Sequence, residues 1–175
     1  MRTIGTALFL LFVTPAAAEW CSLDSSTFTF ETTFEGGALP GEFRRFDVRY
    51  AEGSALRVTV DLTAADMGDP DMNDVLGDPA WFGIETHPEA VFEASSIRET
   101  SAGQFSAAGK LSLKGVEGAA TVPFSWQVNG DRAAMEGEFT LTRTNFNVGS
   151  GEWSTGESIG LDVALSFDIQ LTQCD

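Results

Sequence analysis

The sequence holds one histidine and two cysteines among 175 residues, and that scarcity removes most metal and thiol chemistry. A zinc site draws on several His or Cys ligands, so His87 alone cannot supply a multi-histidine centre. Cys21 and Cys174 stand near opposite ends of the chain, too far apart in sequence to form a CxxC redox pair. Basic residues are few as well: 10 Lys and Arg face 26 Asp and Glu, for a formal charge of −16. The densest basic pair, Arg44-Arg45, is flanked by Glu42 and Asp47, so no patch is available to neutralise phosphates and nucleic acid is not an expected partner. No GxGxxG, P-loop or GxSxG motif occurs, and His87 has no nucleophile motif beside it. The acidic stretch from Asp66 to Asp78 invites a calcium loop beginning at Asp69, with Asp71 and Asn73 in place. The sixth position should then be Gly and is Asp74, and the twelfth should be Glu and is Ala80, so the EF-hand fails. The expectation is a protein that is not an enzyme and has no metal and no cofactor.

Long apolar runs are also missing, with one exception. Ile4 to Val13 is apolar apart from Gly5 and Thr6, follows Arg2, and ends at Thr14-Pro15 and Ala16-Ala17-Ala18. A spanning helix needs roughly 20 apolar residues, so this stretch reads as a secretory signal peptide cleaved after Ala18. Residues 1–18 are then the signal and residues 19–175 one exported, acidic domain, expected in the periplasm. In an oxidising compartment Cys21 and Cys174 are expected to pair. Such a bond would set the start of the first strand beside the end of the last.

Period-two alternation fills the rest of the chain, and helical periodicity is nearly absent. Phe28, Phe30, Thr32 and Phe34 share a face, and a turn follows at Gly36–Gly41. Phe46, Val48 and Tyr50 form the next face, then Leu56, Val58, Val60 and Leu62, then Phe92 and Ala94. Phe105 to Leu113, Val122 to Val128, Met135 to Leu141 and Leu161 to Leu171 complete eight alternating segments, with a tight turn at Asn129-Gly130. One apolar and one polar face per strand indicates an antiparallel sheet with a single buried side. Eight such strands with stapled ends predict an all-β fold closed into a barrel, which leaves no free sheet edge; a sandwich is the alternative. Residues 69–88 break the pattern. Asp69 can cap a helix opened by Pro70, which predicts one or two short helices across the outside or mouth of the barrel.

Two features bear on the interior. Arg143 continues the inward register of Met135, Gly137, Phe139 and Leu141, so it must find a carboxylate, a carbonyl or a polar ligand group. Fourteen Phe against one Tyr make the interior poor in polar handles, and Ala107, Gly109 and Gly137 on that face leave room inside. A greasy lumen for a hydrocarbon chain and a solid core fit that composition equally.

Taken in order, several segments resemble the YceI-like family of exported lipid-binding proteins. They include Gly41-Glu42-Phe43-Arg44-Arg45-Phe46, Asp78-Pro79-Ala80-Trp81-Phe82, His87-Pro88-Glu89-Ala90-Val91-Phe92, Gly109-Lys110-Leu111-Ser112-Leu113-Lys114-Gly115-Val116 and Arg143-Thr144-Asn145-Phe146-Asn147-Val148-Gly149. The resemblance implies a lipocalin-like eight-stranded antiparallel barrel that holds an isoprenoid lipid, polyisoprenoid or quinone, without catalysis. Two departures stand out: Thr32-Thr33-Phe34-Glu35-Gly36 replaces a histidine-containing stretch, and Asn145-Phe146-Asn147 replaces a DFG-like triplet. On this reading Phe28, Phe30, Phe46, Phe92, Phe124, Phe139, Leu141 and Phe167 line the tunnel, Trp81 and Phe82 close one end, and Arg143 sits near a polar group. The rival is a solidly packed interaction module whose acidic face docks a membrane redox protein, and a homodimer is open to either reading.

Overall fold

The computed structural model describes residues 18–174, so the signal-peptide expectation lies, apart from Ala18, outside the described residues. Among the described residues the elements run β1 (Glu19–Ser22), β2 (Thr27–Phe34), β3 (Gly37–Phe43), β4 (Phe46–Ala51), β5 (Ala55–Asp61), β6 (Ala65–Asp66), α1 (Pro70–Gly77), β7 (Glu89–Ser101), β8 (Gln104–Leu113), β9 (Val116–Asn129), β10 (Arg132–Thr142) and β11 (Asp162–Gln173). All the strands join one antiparallel sheet.

Three pairs of segments are end-to-end halves of a single stave. β1 and β2 both run along β11, β4 and β3 run along them in turn, and β5 and β6 follow on the far side. Counted by stave the wall has eight members, and it closes because β1 pairs with both β4 and β11. The predicted eight-stranded antiparallel barrel is therefore the fold. Cys21 and Cys174 are bonded at this closure, where Cys21 lies opposite Thr172 and the Cys174 amide donates to the Glu19 carbonyl.

Alternation sets the inside and outside of each stave. In β11 Leu165, Ile169 and Leu171 are buried, whereas Asp162, Ala164, Ser166 and Asp168 are exposed. The segment read as a turn at Gly36–Gly41 is instead the two-residue Glu35-Gly36 turn followed by β3. Both turn residues have positive φ, the conformation that matches hairpin twist, and Phe34 pairs directly with Gly37. Pro40 is tolerated in β3 because the outer edge of that strand pairs only at Glu42 and Phe43, with β6. The last hairpin turn also moves by one residue, to Gly130-Asp131, since Asn129 pairs with Arg132.

Pairing between β9 and β10 stops at Ser125 and Glu136. Beyond that point Phe146, from the 3-10 turn Arg143–Phe146, lies over Gly118 and fills the seam. α1 forms as the sequence predicts, with the Asp69 carboxylate accepting from the amides of Asp71 at 2.9 Å and Met72 at 3.2 Å.

Candidate functional site

One end of the barrel is packed shut. Trp20, Tyr50, Phe124, Trp126 and Leu171 are buried there, with Tyr50 and Leu171 at 0% exposure. Their rings meet edge to face, Tyr50 on Trp126 at 4.7 Å and Trp20 on Trp126 at 5.6 Å between centroids. Such edge-to-face pairs add to the stabilisation from buried area. The Tyr50 hydroxyl accepts from the Gly53 amide at 3.1 Å, and burial raises its pKa.

Above this floor the side chains leave cavities between them. An inner cavity of about 120 Å³ is walled by Phe28, Val58, Phe92, Met135, Phe139 and Phe167 among others. A wider cavity of about 330 Å³ lies toward α1, against Phe30, Leu76, Trp81, Phe146 and Val163. The two share Phe43, Phe82, Leu113, Leu141 and Leu165, so they adjoin across those side chains and together occupy the lumen between the floor and the helix.

Of the side chains expected to line a tunnel, Phe28, Phe92, Phe139 and Phe167 wall the inner part, while Phe30, Trp81 and Arg143 wall the outer part. Phe82 and Leu141 touch both. Two do not line it. Phe124 is 2% exposed and packs into the floor against Tyr50 and Phe105. Phe46 turns inward but is half-buried among the core side chains, with its ring edge-on to Phe28 at 5.8 Å. The residue that takes its place is Phe43, on both cavity walls. Phe43 and Phe46 are an odd number of residues apart and both turn inward, which requires the break between β3 and β4 at Arg44-Arg45. That odd spacing was the available signal. Met72, Val75 and Leu76 from α1 also reach the wall, as helix partners that strand alternation could not reveal.

The small residues have a different role from the one expected. A Cβ on Gly109 would collide with the β7 backbone at Glu93 and Ala94, where β7 carries a bulge. A Cβ on Gly137 would strike the Pro123 carbonyl and the Phe167 ring. Neither glycine lines the lumen; each permits close packing of the wall.

Arg143 is 4% exposed, and every donor on its guanidinium meets a backbone carbonyl. Nε donates to Gly160 at 2.8 Å, one terminal nitrogen to Val148 and Gly149, and the other to Trp153 and Ile159. Its Cζ also lies over the Trp81 ring, 5.3 Å from the centroid and within cation–π range. Among the described residues no carboxylate forms a salt bridge with it, and burial lowers its pKa. Lys114 works similarly, donating to the Ala80 and Asn147 carbonyls, with its pKa also lowered by burial. The two cations fasten the loops around the outer cavity, and no donor of Arg143 remains for a ligand. On the lumen wall the one buried polar atom without a partner, among the described residues, is the indole nitrogen of Trp81.

Elsewhere, His87 packs its ring over Gly115, outside the lumen. Asp66 and Asp69 serve as hydrogen-bond acceptors at the ends of the α1 connection. No group of three or more His, Cys, Asp or Glu is placed to hold a metal among the described residues. No helix among them is long and apolar enough to cross a membrane.

The family model of the YceI-like domain matches residues 22–171. No curated protein matches the chain. Among solved structures, BcnA of Burkholderia cenocepacia is similar at 27% identity and a TM-score of 0.77, over 83% of this chain and 95% of that one. A polyisoprenoid binding domain from Saccharophagus degradans, implicated in plant cell wall breakdown, is similar at 13% identity and a TM-score of 0.75, over 90% and 99%. The YCEI protein of Campylobacter jejuni is similar at 11% identity and a TM-score of 0.66, over 99% and 94%.

Proposed function

The chain belongs to the YceI-like family, and from that premise we propose that it binds, carries or stores an isoprenoid lipid in its lumen, in the periplasm and without catalysis. A polyisoprenoid or an isoprenoid quinone is the proposed cargo. One observation carries the reading: two adjoining cavities occupy the lumen between the floor and α1, and their walls are apolar almost throughout.

An apolar cavity of roughly 150 Å³ stays dry and takes up an apolar guest in preference to water. Both parts of this lumen are of that order or larger. Empty space of this kind costs about 24 cal/mol per Å³ in lost packing, so a guest that fills it stabilises the barrel. Each CH₂-sized group moved from water adds about 0.8 kcal/mol, and a branched chain of isoprene units supplies many such groups. Affinity then accumulates along the chain instead of resting on one polar contact. The engagement of every Arg143 donor by carbonyls is consistent with that, since the wall offers little to a charged headgroup. The alternative of a packed docking module needs a filled interior, and the two cavities above the floor favour the carrier reading over it.

The test is organic extraction of the protein purified from its native compartment, followed by mass spectrometry. The expected result is an isoprenoid, and delipidated protein should melt at a lower temperature and recover on reloading. A protein that yields no isoprenoid and takes none up would overturn the reading.

A further inference from the structure

Four large apolar side chains are notably exposed among the described residues, and three of them gather at one place. Phe34 is 41% exposed, Met72 39% and Val75 45%, and all three also wall the outer cavity. They come from two unconnected elements. Phe34 ends β2 at the hairpin tip, with Leu39 of β3 beside the same cavity. Met72 and Val75 lie three apart on α1 and so share a face, while Leu76 turns into the core. The fourth, Val128, belongs to the β9–β10 hairpin near the floor and lines neither cavity.

We propose that this mouth is a membrane-docking surface that seats Phe34, Leu39, Met72 and Val75 in an uncharged, zwitterionic bilayer. The proposal rests on the reading of the lumen as a lipid site, since an insoluble cargo has to arrive from a membrane. The rim and the outer cavity share side chains, so a chain passing between bilayer and barrel meets mostly apolar side chains at the mouth. Exposed apolar clusters rimmed by polar residues mark interaction sites of this kind. The charges choose the membrane. Asp71 lines the opening, and Glu35 and Asp74 are exposed next to Phe34 and Val75. Among the described residues Arg143 is the one basic residue on that wall, and backbone carbonyls take all its donors. An acidic rim on a chain of net charge −16 is repelled by anionic lipid.

Flotation of the purified protein with phosphatidylcholine vesicles tests this. Wild type should float with the vesicles, and Met72→Ser/Val75→Ser should partition about tenfold more weakly or worse, from the loss of two inserted apolar side chains. Phe34→Ser, on the other element, should weaken partition in the same direction. Equimolar phosphatidylglycerol should weaken wild-type binding at low salt, and added salt should restore it, because screening shortens the reach of the repulsion. Wild type left in the lipid-free fraction, or wild type and both variants floating equally, would overturn the proposal. So would a wild-type dimer that the substitutions dissociate while vesicles bind neither form, which would give the face to a second copy of the chain. Extraction of the wild-type protein separates this from the cargo question. Flotation with no isoprenoid in the extract faults the cargo, and isoprenoid without flotation faults the docking face.

Discussion

Arg143 is a buried cation satisfied by carbonyls alone, and substitution should show how much the mouth depends on it. Lysine keeps the charge but has three donors on a flexible stem, so it cannot reproduce a planar fork that reaches five carbonyls. Arg143→Lys should therefore cost about 3 kcal/mol, from carbonyls left unpaired in a buried site, and urea denaturation would measure it. Ala120 offers the opposite case: it is buried on the wall of the inner cavity, where added volume has space to occupy. Ala120→Leu should reduce the lipid recovered by extraction while ligand-free protein keeps or raises its melting temperature. At this scale the sequence showed which way side chains face, because alternation fixes that for Phe28, Phe92 and Phe167. It did not show depth along the tube. Phe124 faces inward as expected and still ends in the floor, since depth depends on stagger between staves.

Among the elements, α1 was the most readable, because a cap residue and a helix-opening proline are local signals. What fastens it to the barrel was not readable. The Asp66 carboxylate accepts from the Asn73 side chain and the Gly68 amide, each at 2.8 Å, and pairs with Arg44 of the β3–β4 break. These contacts, Asn73 foremost, hold the Asp66 pKa below the usual carboxylate range. A depressed folded pKa contributes stability above the ordinary carboxylate range, and that contribution is lost as pH falls through the folded value. Acidification below that range should release α1 from β6 ahead of any loss of the barrel. NMR shifts of the α1 amides against pH would follow it, and Asp66→Asn should remove the transition. β3 and β1 escaped the sequence reading for a related reason. Gly, Pro and a four-residue segment carry weak strand signals, and their pairing comes from neighbours that alternation does not identify.

For the whole molecule, closure was legible because two cysteines at the chain ends and eight alternating runs agree on it. The bond spans 153 residues, and the chain-entropy argument gives up to about 5 kcal/mol for so long a loop. Cys21→Ser/Cys174→Ser should lower the denaturation midpoint accordingly, and reductant should then change the wild type but not the variant. Whether the interior was hollow or filled was not legible. The same phenylalanines serve either case, and the volume left over follows from how the staves splay. The packed floor of Trp20, Tyr50 and Trp126 also turns the lumen into a blind tube. For the proposed cargo, a tube closed at one end works as a ruler: a tail that bottoms out in the inner cavity, against side chains such as Val48, Val122 and Ile169, leaves its surplus units outside. The barrel would then sort prenyl chains by how many units it can swallow, which a tunnel open at both ends could not do.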